Sequence, residues 1–482
     1  MVSSKLFSTH RPNPGRSRLQ NPPVKVLRLS SLLLVFAIAL AQIGWSREAR
    51  VSQPAKPKVS FQQFMLKNGL RVILSEDHTT PTYSVSVTYN VGSRDERPGR
   101  TGLAHLFEHM MFQGSANVGK GEHFILVANN GGSANGTTNA ERTNYFETLP
   151  ANQLELGIFL EADRMRSLEV TQANLDNQRH AVQEERRLNV DNRSYGRTFE
   201  AVIETAYDNF AYKHATIGSI EDLNSASLED ARRFFRTYYA PNNAVLTVVG
   251  DFQTERALAL IKKYFEEIPS HAPPPVPDVS EPGQTTERRR TIEDAFAQAP
   301  RIDIVYKTVP GNTRDWYALR VLGQITAGDL SSRLYQKLVK ELEMAISVSS
   351  GPDERRGTSL FWVSLVLRPD TILSDLERIV YEEIERLKNE PAADWELDKV
   401  RTKLRRQQAE NLYRTRSRAN ALGHYAVYYN EPGLINTVFD KLAEVEKADL
   451  QRVASAYLRE TNRTVVTTLP KSKISSNAQV GG

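Results

Sequence analysis

Cysteine is absent from this 482-residue chain. That excludes disulfides and thiolate-ligated metals, so any metal must be held by His, Asp or Glu. Histidine is scarce as well, nine residues in all. There is no Gln/Asn tract, collagen repeat or heptad period, and the composition, 40% hydrophobic and 25% charged, is that of an ordinary globular protein. The apolar run Leu29–Ile43 (LSSLLLVFAIALAQI) is shorter than the ~20 residues that a membrane-spanning helix needs.

The formal net charge of +5 is uneven along the chain. Eight Lys and Arg but one acid, Glu48, fall within residues 1–50, which leaves the remainder slightly acidic. A basic body would point to nucleic acid or an anionic surface; this one does not, and a nucleic-acid partner is not expected. A basic stretch ending at Arg28, the apolar run, and small residues behind it (Ala39-Leu40-Ala41 or Gly44-Trp45-Ser46) have the order of a secretory signal. Residues 1–46 are therefore expected to be a signal peptide or an anchor. The protein is expected to be exported, either periplasmic or tethered facing the periplasm, with membrane contact only if this segment stays uncleaved.

Residues 47–60 are polar and contain proline, and they read as a linker. A second break is His271–Arg290 (HAPPPVPDVSEPGQTTERRR), where the prolines exclude helix and sheet interiors and nothing is expected to be buried. The breaks delimit two domains, 61–270 and 291–470, followed by a tail, 471–482. The two domains end alike: placing Tyr238 on Tyr457 also places Asp230 on Asp449 and Asn243 on Asn462. Partly alternating strands are predicted at Leu70–Leu74, Tyr83–Asn90, Thr143–Leu149, Ile302–Thr308 and Ser359–Arg368. Helices are predicted at Gly102–Phe112, Ala151–Ser167, Gln172–Asn189, Trp316–Ile325 and Ser331–Glu341. The irregular mixture predicts an α+β fold: two homologous α/β half-units with mixed or antiparallel sheets, joined by the Pro-rich linker.

The sharpest local signal is His105-Leu106-Phe107-Glu108-His109. On a helix the two histidines, four apart, share a face, and Glu108 lies on the same side. A catalytic zinc takes three protein ligands and keeps one position for water, whose pKa it lowers. A nearby carboxylate, Glu108, can take the proton from that water and pass it to a leaving amine. The order HxxEH is the inverted zinc-peptidase motif. A third ligand is sought among carboxylates elsewhere. In NLDNQRHAVQEERRLN, Glu184 and Glu185 point about 100° apart, and helical geometry alone does not choose between them.

HLFEHMMFQGS, AVQEERR, GGSANGTTNAERTNYFETLP and YYAPNNAVLTVVGDF together resemble the pitrilysin/insulinase family of zinc metallopeptidases, with the look of bacterial periplasmic members related to the mitochondrial processing peptidases. The resemblance runs from about Phe61 to Pro470. It implies one Zn2+ per chain on His105, His109 and Glu185, the last through the V-x-x-E pattern of Val182-Gln183-Glu184-Glu185, with Glu108 as catalytic base. Many members carry a supporting Glu about two turns before the third ligand; Gln178 stands there and is expected to lie behind the metal. The resemblance also implies that Ser133, Ala134, Asn135 and Gly136 form an edge strand that pairs with an extended peptide substrate, with Asn135 bonding the substrate backbone or the edge itself. Thr143 and Tyr145 match as structural residues.

One departure bears on partners. Active relatives supply an Arg and a following Tyr from the second half, to hold the peptide and the oxyanion. Val339 and Ile346 stand at those positions, and neither can donate a hydrogen bond. The expectation is a zinc-dependent endopeptidase acting on peptides or unfolded segments, as the catalytic subunit of a heterodimer whose homologous partner supplies the Arg/Tyr pair, or as a homodimer. The alternative is a non-catalytic assembly or binding subunit of the same fold.

Overall fold

The strand Thr82–Tyr89 (TYSVSVTY) alternates large apolar residues with small hydroxyl residues, and both sets are buried. Such a strand has to be covered on both faces. The computed structural model describes residues 58–471 and shows how this is done. The expected signal or anchor, most of the first linker and nearly all of the tail lie outside those residues. Among the described residues no helix is long and apolar enough to cross a membrane.

The first half builds a six-stranded sheet from β1 (Gln62–Met65), β2 (Arg71–Glu76), β3 (Thr82–Tyr89), β4 (Ser133–Thr138), β5 (Thr143–Pro150) and β6 (Ala244–Gly250), in the order β1-β2-β6-β3-β5-β4. The second half builds a five-stranded sheet from β7 (Arg288–Asp294), β8 (Arg301–Lys307), β9 (Ala345–Pro352), β10 (Leu360–Leu367) and β11 (Arg463–Pro470), in the order β7-β11-β8-β10-β9. Only β2–β6 and β7–β11 pair in parallel; the other neighbours are antiparallel. This is the α+β, mixed-sheet, two-half architecture predicted above.

Each half packs its own helices on one face of its sheet and takes a helix from the other half on the opposite face. Thr415–Tyr429, from the second half, lies on β3 and β6, while Thr198–Ala206, from the first half, lies on β11, β7 and β8. The small residues of β3 make room for the visiting helix. Ser84 bonds Thr415 (2.9 Å), and Gly423 sits against Thr88. The matched ends of the two halves behave alike. Asn243 donates to Tyr238 O and Asn462 to Tyr457 O, both at 2.8 Å, and the same amides reach Asn90 O and Lys307 O behind β3 and β8.

Two expectations need correction. The stretch 271–290 does bury a group. The Glu281 carboxylate is enclosed, taking Lys307 Nζ at 2.6 Å and the N–H groups of Asp208 and Asn209 at 2.8 and 3.0 Å, and the stretch's last three residues already belong to β7. Ser331–Glu341 is not a regular helix, since Tyr335–Glu341 is wound as a π-helix.

Candidate metal centre

The helix Leu103–Met110 buries Leu103, Ala104, Leu106, Phe107 and Met110, which turns His105, Glu108 and His109 to its remaining face. Its start is fixed by Gly102, whose φ of 89° suits glycine. The buried Glu96 carboxylate takes the N–H groups of Gly102 (2.9 Å) and Ala104 (2.7 Å), a favourable place for negative charge. His214 Nε2 closes the arrangement at 3.0 Å from Glu96.

The partner helix, Gln172–Arg186, is capped by Thr171, whose hydroxyl accepts from Asn174 N–H (3.2 Å). Arg179 donates to Leu223 O and Ala226 O, and Arg186 grips Glu200 with two bonds and Gly218 O with a third. So held, the helix presents Glu185 to the histidines. Glu184 points away, 58% exposed and 3.0 Å from Arg187.

Glu185 Oε2 lies 3.2 Å from His109 Nε2 and 3.6 Å from His105 Nε2, and the three donor atoms fall within 4.8 Å of one another. Tetrahedral zinc with bonds near 2.05 Å separates its ligand atoms by about 3.3 Å. The imidazole rings stand nearly perpendicular, their centroids 4.8 Å apart. Burial, reinforced by His109, pushes the His105 imidazolium down to about 4, so the ring is neutral near pH 7. A hydrogen bond from His109 holds the Glu185 carboxyl below its usual range. Two imidazole nitrogens and a carboxylate oxygen gathered at these distances fit a zinc site.

Glu108 lies beside this triad. Burial raises its carboxyl, opposed by a hydrogen bond with Thr138 and by the charges of His109 and Arg142. Gly136 packs directly on it. Both Gly136 and Thr138 belong to β4, the last strand of its sheet, which among the described residues pairs only with β5. Of the four expected substrate residues, Ser133 and Asn135 are exposed, Ala134 is half-buried and Gly136 is buried against the base. Asn135 Oδ1 accepts from Gly136 N–H (2.8 Å), so its side chain already bonds the edge. Thr143 and Tyr145 are buried and bond Val91 O and Phe107 O.

Gln178 does not join this constellation; its amide donates to Asn177 (2.7 Å). Asn189, which adds to His109 and His105 in keeping the Glu185 carboxyl low, lies in a π-helical segment, Arg187–Asp191, that follows the helix. No sequence signal marks such a segment. Val339 is half-buried on the second core, and Ile346 is 55% exposed on β9.

A second grouping was hidden in the sequence. His123, Glu147 and Glu161 converge in the core, His123 Nε2 lying 2.5 Å from Glu147 Oε1. Arg164 grips Glu161 and lies over the Phe112 and Tyr145 rings. Burial lifts both carboxyls to about 7 and pushes His123 down to about 3. With Arg164 already offsetting Glu161 and burial favouring a proton on the carboxyls, the cluster would leave a dication facing the guanidinium. It fits a proton better than a metal.

The family model described as Insulinase (Peptidase family M16) matches residues 71–219, and the one described as Peptidase M16 inactive domain matches residues 225–404. The chain belongs to the M16 insulinase family. Among this M16 protein's relatives is the zinc protease PqqE of Helicobacter pylori, 29% identical over 445 residues that cover 92% of this chain and 98% of that protein. A probable mitochondrial-processing peptidase subunit beta of Arabidopsis thaliana is 23% identical over 412 residues, 82% of this chain and 75% of that one. A solved protease from Helicobacter pylori superposes with a TM-score of 0.83 at 28% identity, covering 86% of this chain and all of that one. Of these three, PqqE is a zinc protease by name.

Proposed function

We propose that this M16 protein is a zinc-dependent endopeptidase that cleaves peptides or unfolded segments. His105, His109 and Glu185 would hold one Zn2+, and the observation that carries this is the approach of Glu185 to both imidazoles, at 3.2 and 3.6 Å. Bound there, Zn2+ supplies a Lewis acid for the scissile carbonyl. The backbone of Ser133–Gly136 pairs with an extended peptide, giving orientation with little dependence on side chains. Glu108 takes a proton from the attacking water and returns it to the departing amine, and its burial-raised carboxyl suits both directions.

The same reading takes the protein to be exported and to work as the catalytic subunit of a pair, with a homologous partner supplying the oxyanion donors that Val339 and Ile346 do not. The relative named as a mitochondrial-processing peptidase subunit favours this over a lone monomer. Zinc per chain and cleavage of a quenched peptide, measured for wild type and Glu108→Gln, test the assignment. The variant should keep its zinc and lose turnover by at least 100-fold; equal turnover in both would remove Glu108 as base. Full activity from a strict monomer would remove the need for a partner.

A further inference from the structure

β4 and β5 form a hairpin whose turn, Asn139–Arg142, is held from an unexpected direction. Within the turn, Asn139 N–H donates to Arg142 O (3.0 Å), and Asn139 Oδ1 takes the N–H groups of Glu141 (2.8 Å) and Arg142 (3.0 Å). Glu141 is 1% exposed. Its carboxylate accepts two bonds from the first half, Arg94 Nη1 (2.7 Å) and the Tyr212 hydroxyl (2.5 Å). It accepts two more from Arg356 of the second half, from the backbone N–H and from Nε, both at 3.0 Å. Arg356 also reaches Asn90 Oδ1 (2.6 Å). Tyr428, near the end of the helix Thr415–Tyr429, meets the Asn139 amide at 3.0 Å.

The part of β4 that enters this turn is the part against Glu108. Thr138, the last residue of β4, is next to Asn139 in sequence, and Gly136, two residues before it, lies on the Glu108 side chain. Among the described residues β4 has a neighbour on one side only, so its position over the base depends on β5 and on the turn.

We infer that Arg356 and Tyr428 are positioning residues for the reaction: through Glu141 and Asn139, the half without the HxxEH motif sets where the substrate edge stands over Glu108. The inference rests on the peptidase reading above. Cohesion of the two halves does not need these bonds, because Thr198–Thr468, Lys307–Asp208 and Tyr195–Ala299 also cross between them, as does the exchange of helices. Arg356 and Tyr428 differ from those contacts in ending on the substrate hairpin. Misplacement by about 1 Å near reacting groups costs on the order of 100-fold in rate.

The test compares full-length, zinc-loaded wild type with Tyr428→Phe, Arg356→Met and Arg356→Lys, with Glu108→Gln as reference. The measurements are zinc per chain, thermal midpoint, and kcat and KM on a quenched extended peptide. Tyr428→Phe and Arg356→Met should lower kcat by about tenfold or more with full zinc and a folded protein, and Arg356→Lys should recover part of that loss. Hydrogen exchange provides a readout free of turnover: β4 amides paired to β5 should exchange several-fold faster in both variants, while those of Leu103–Met110 stay unchanged. Wild-type kcat and β4 protection in both variants, or losses that only track the unfolded fraction, overturn the inference. If Glu108→Gln is inactive while Tyr428→Phe and Arg356→Met match wild type, this inference alone fails; if Glu108→Gln stays active, the peptidase reading fails with it.

Discussion

A Cβ built on Gly136 would stand 2.9 Å from Cγ of Glu108 and 3.3 Å from its Oε1. The edge strand and the proposed base are therefore in van der Waals register, with no space for a methyl group between them. Gly136→Ala should push the carboxylate aside and lower kcat by about tenfold or more, because proton transfer depends on placement. Zinc per chain should stay at the wild-type value. An unchanged kcat would mean that Glu108 yields without consequence.

Glu184 and Glu185 provide a sharp contrast between neighbours. Glu185→Gln should weaken zinc binding by more than the 10- to 100-fold typical of losing an outer partner of a metal site, while Glu184→Gln leaves it unchanged. Competition with a chelator of known affinity measures both. Equal affinities would place the third ligand elsewhere.

Stability should depend on pH through the His123 cluster. Burial raises the Glu147 carboxyl from 4.5 to about 7, so the folded state holds its proton more tightly than the unfolded chain does. That contribution is full below about 4.5 and is lost as pH rises through about 7. His123, pushed down to about 3, acts in the opposite sense, and its unfolded imidazole is still half-protonated at pH 6.5 and neutral only above about 7.5, while Glu161, also lifted to about 7, adds to the Glu147 trend. Between pH 6.5 and 8, unfolding free energy should fall by about 1 kcal/mol from this source. Denaturant titrations of wild type and Glu147→Gln across that range should show the decline in wild type and a flatter profile in the variant.

Gly423 lets the visiting helix approach the first sheet: a Cβ there would lie 2.6 Å from Thr88 Oγ1. Gly423→Val should destabilise the fold by about 1–3 kcal/mol, the usual result of overpacking a dense interior. Urea unfolding measures it, and Gly423→Val combined with Thr88→Ala should recover part of the loss.

Much of the site could be read locally. His105, Glu108 and His109 share a face because four residues make about one helical turn, and the apolar residues between them decide which face is buried. The strands around Leu74, Val85, Tyr145 and Ile304 could be read from alternation, and the duplicated ends from the matched Asn243 and Asn462. Gln178 was misplaced because a helical offset says which side a residue faces but not what neighbour it bonds. Asn189 and His123 left no signal, since a π-helical segment and a buried charge cluster are made by packing.

The order of residues along the chain thus determined the helix bearing the two imidazoles, the strand periods and the two-part plan, all consequences of backbone geometry over a few residues. Helical geometry left Glu184 and Glu185 open and the family resemblance pointed to Glu185, which the fold brings to the histidines; tertiary structure alone decided that Gly136 lies on Glu108 and that Arg356 reaches Glu141 from 215 residues away. The reason is physical. A side chain's direction follows from its own turn of helix or strand, but its neighbour across space is fixed only when sheets and helices from distant segments pack into one interior.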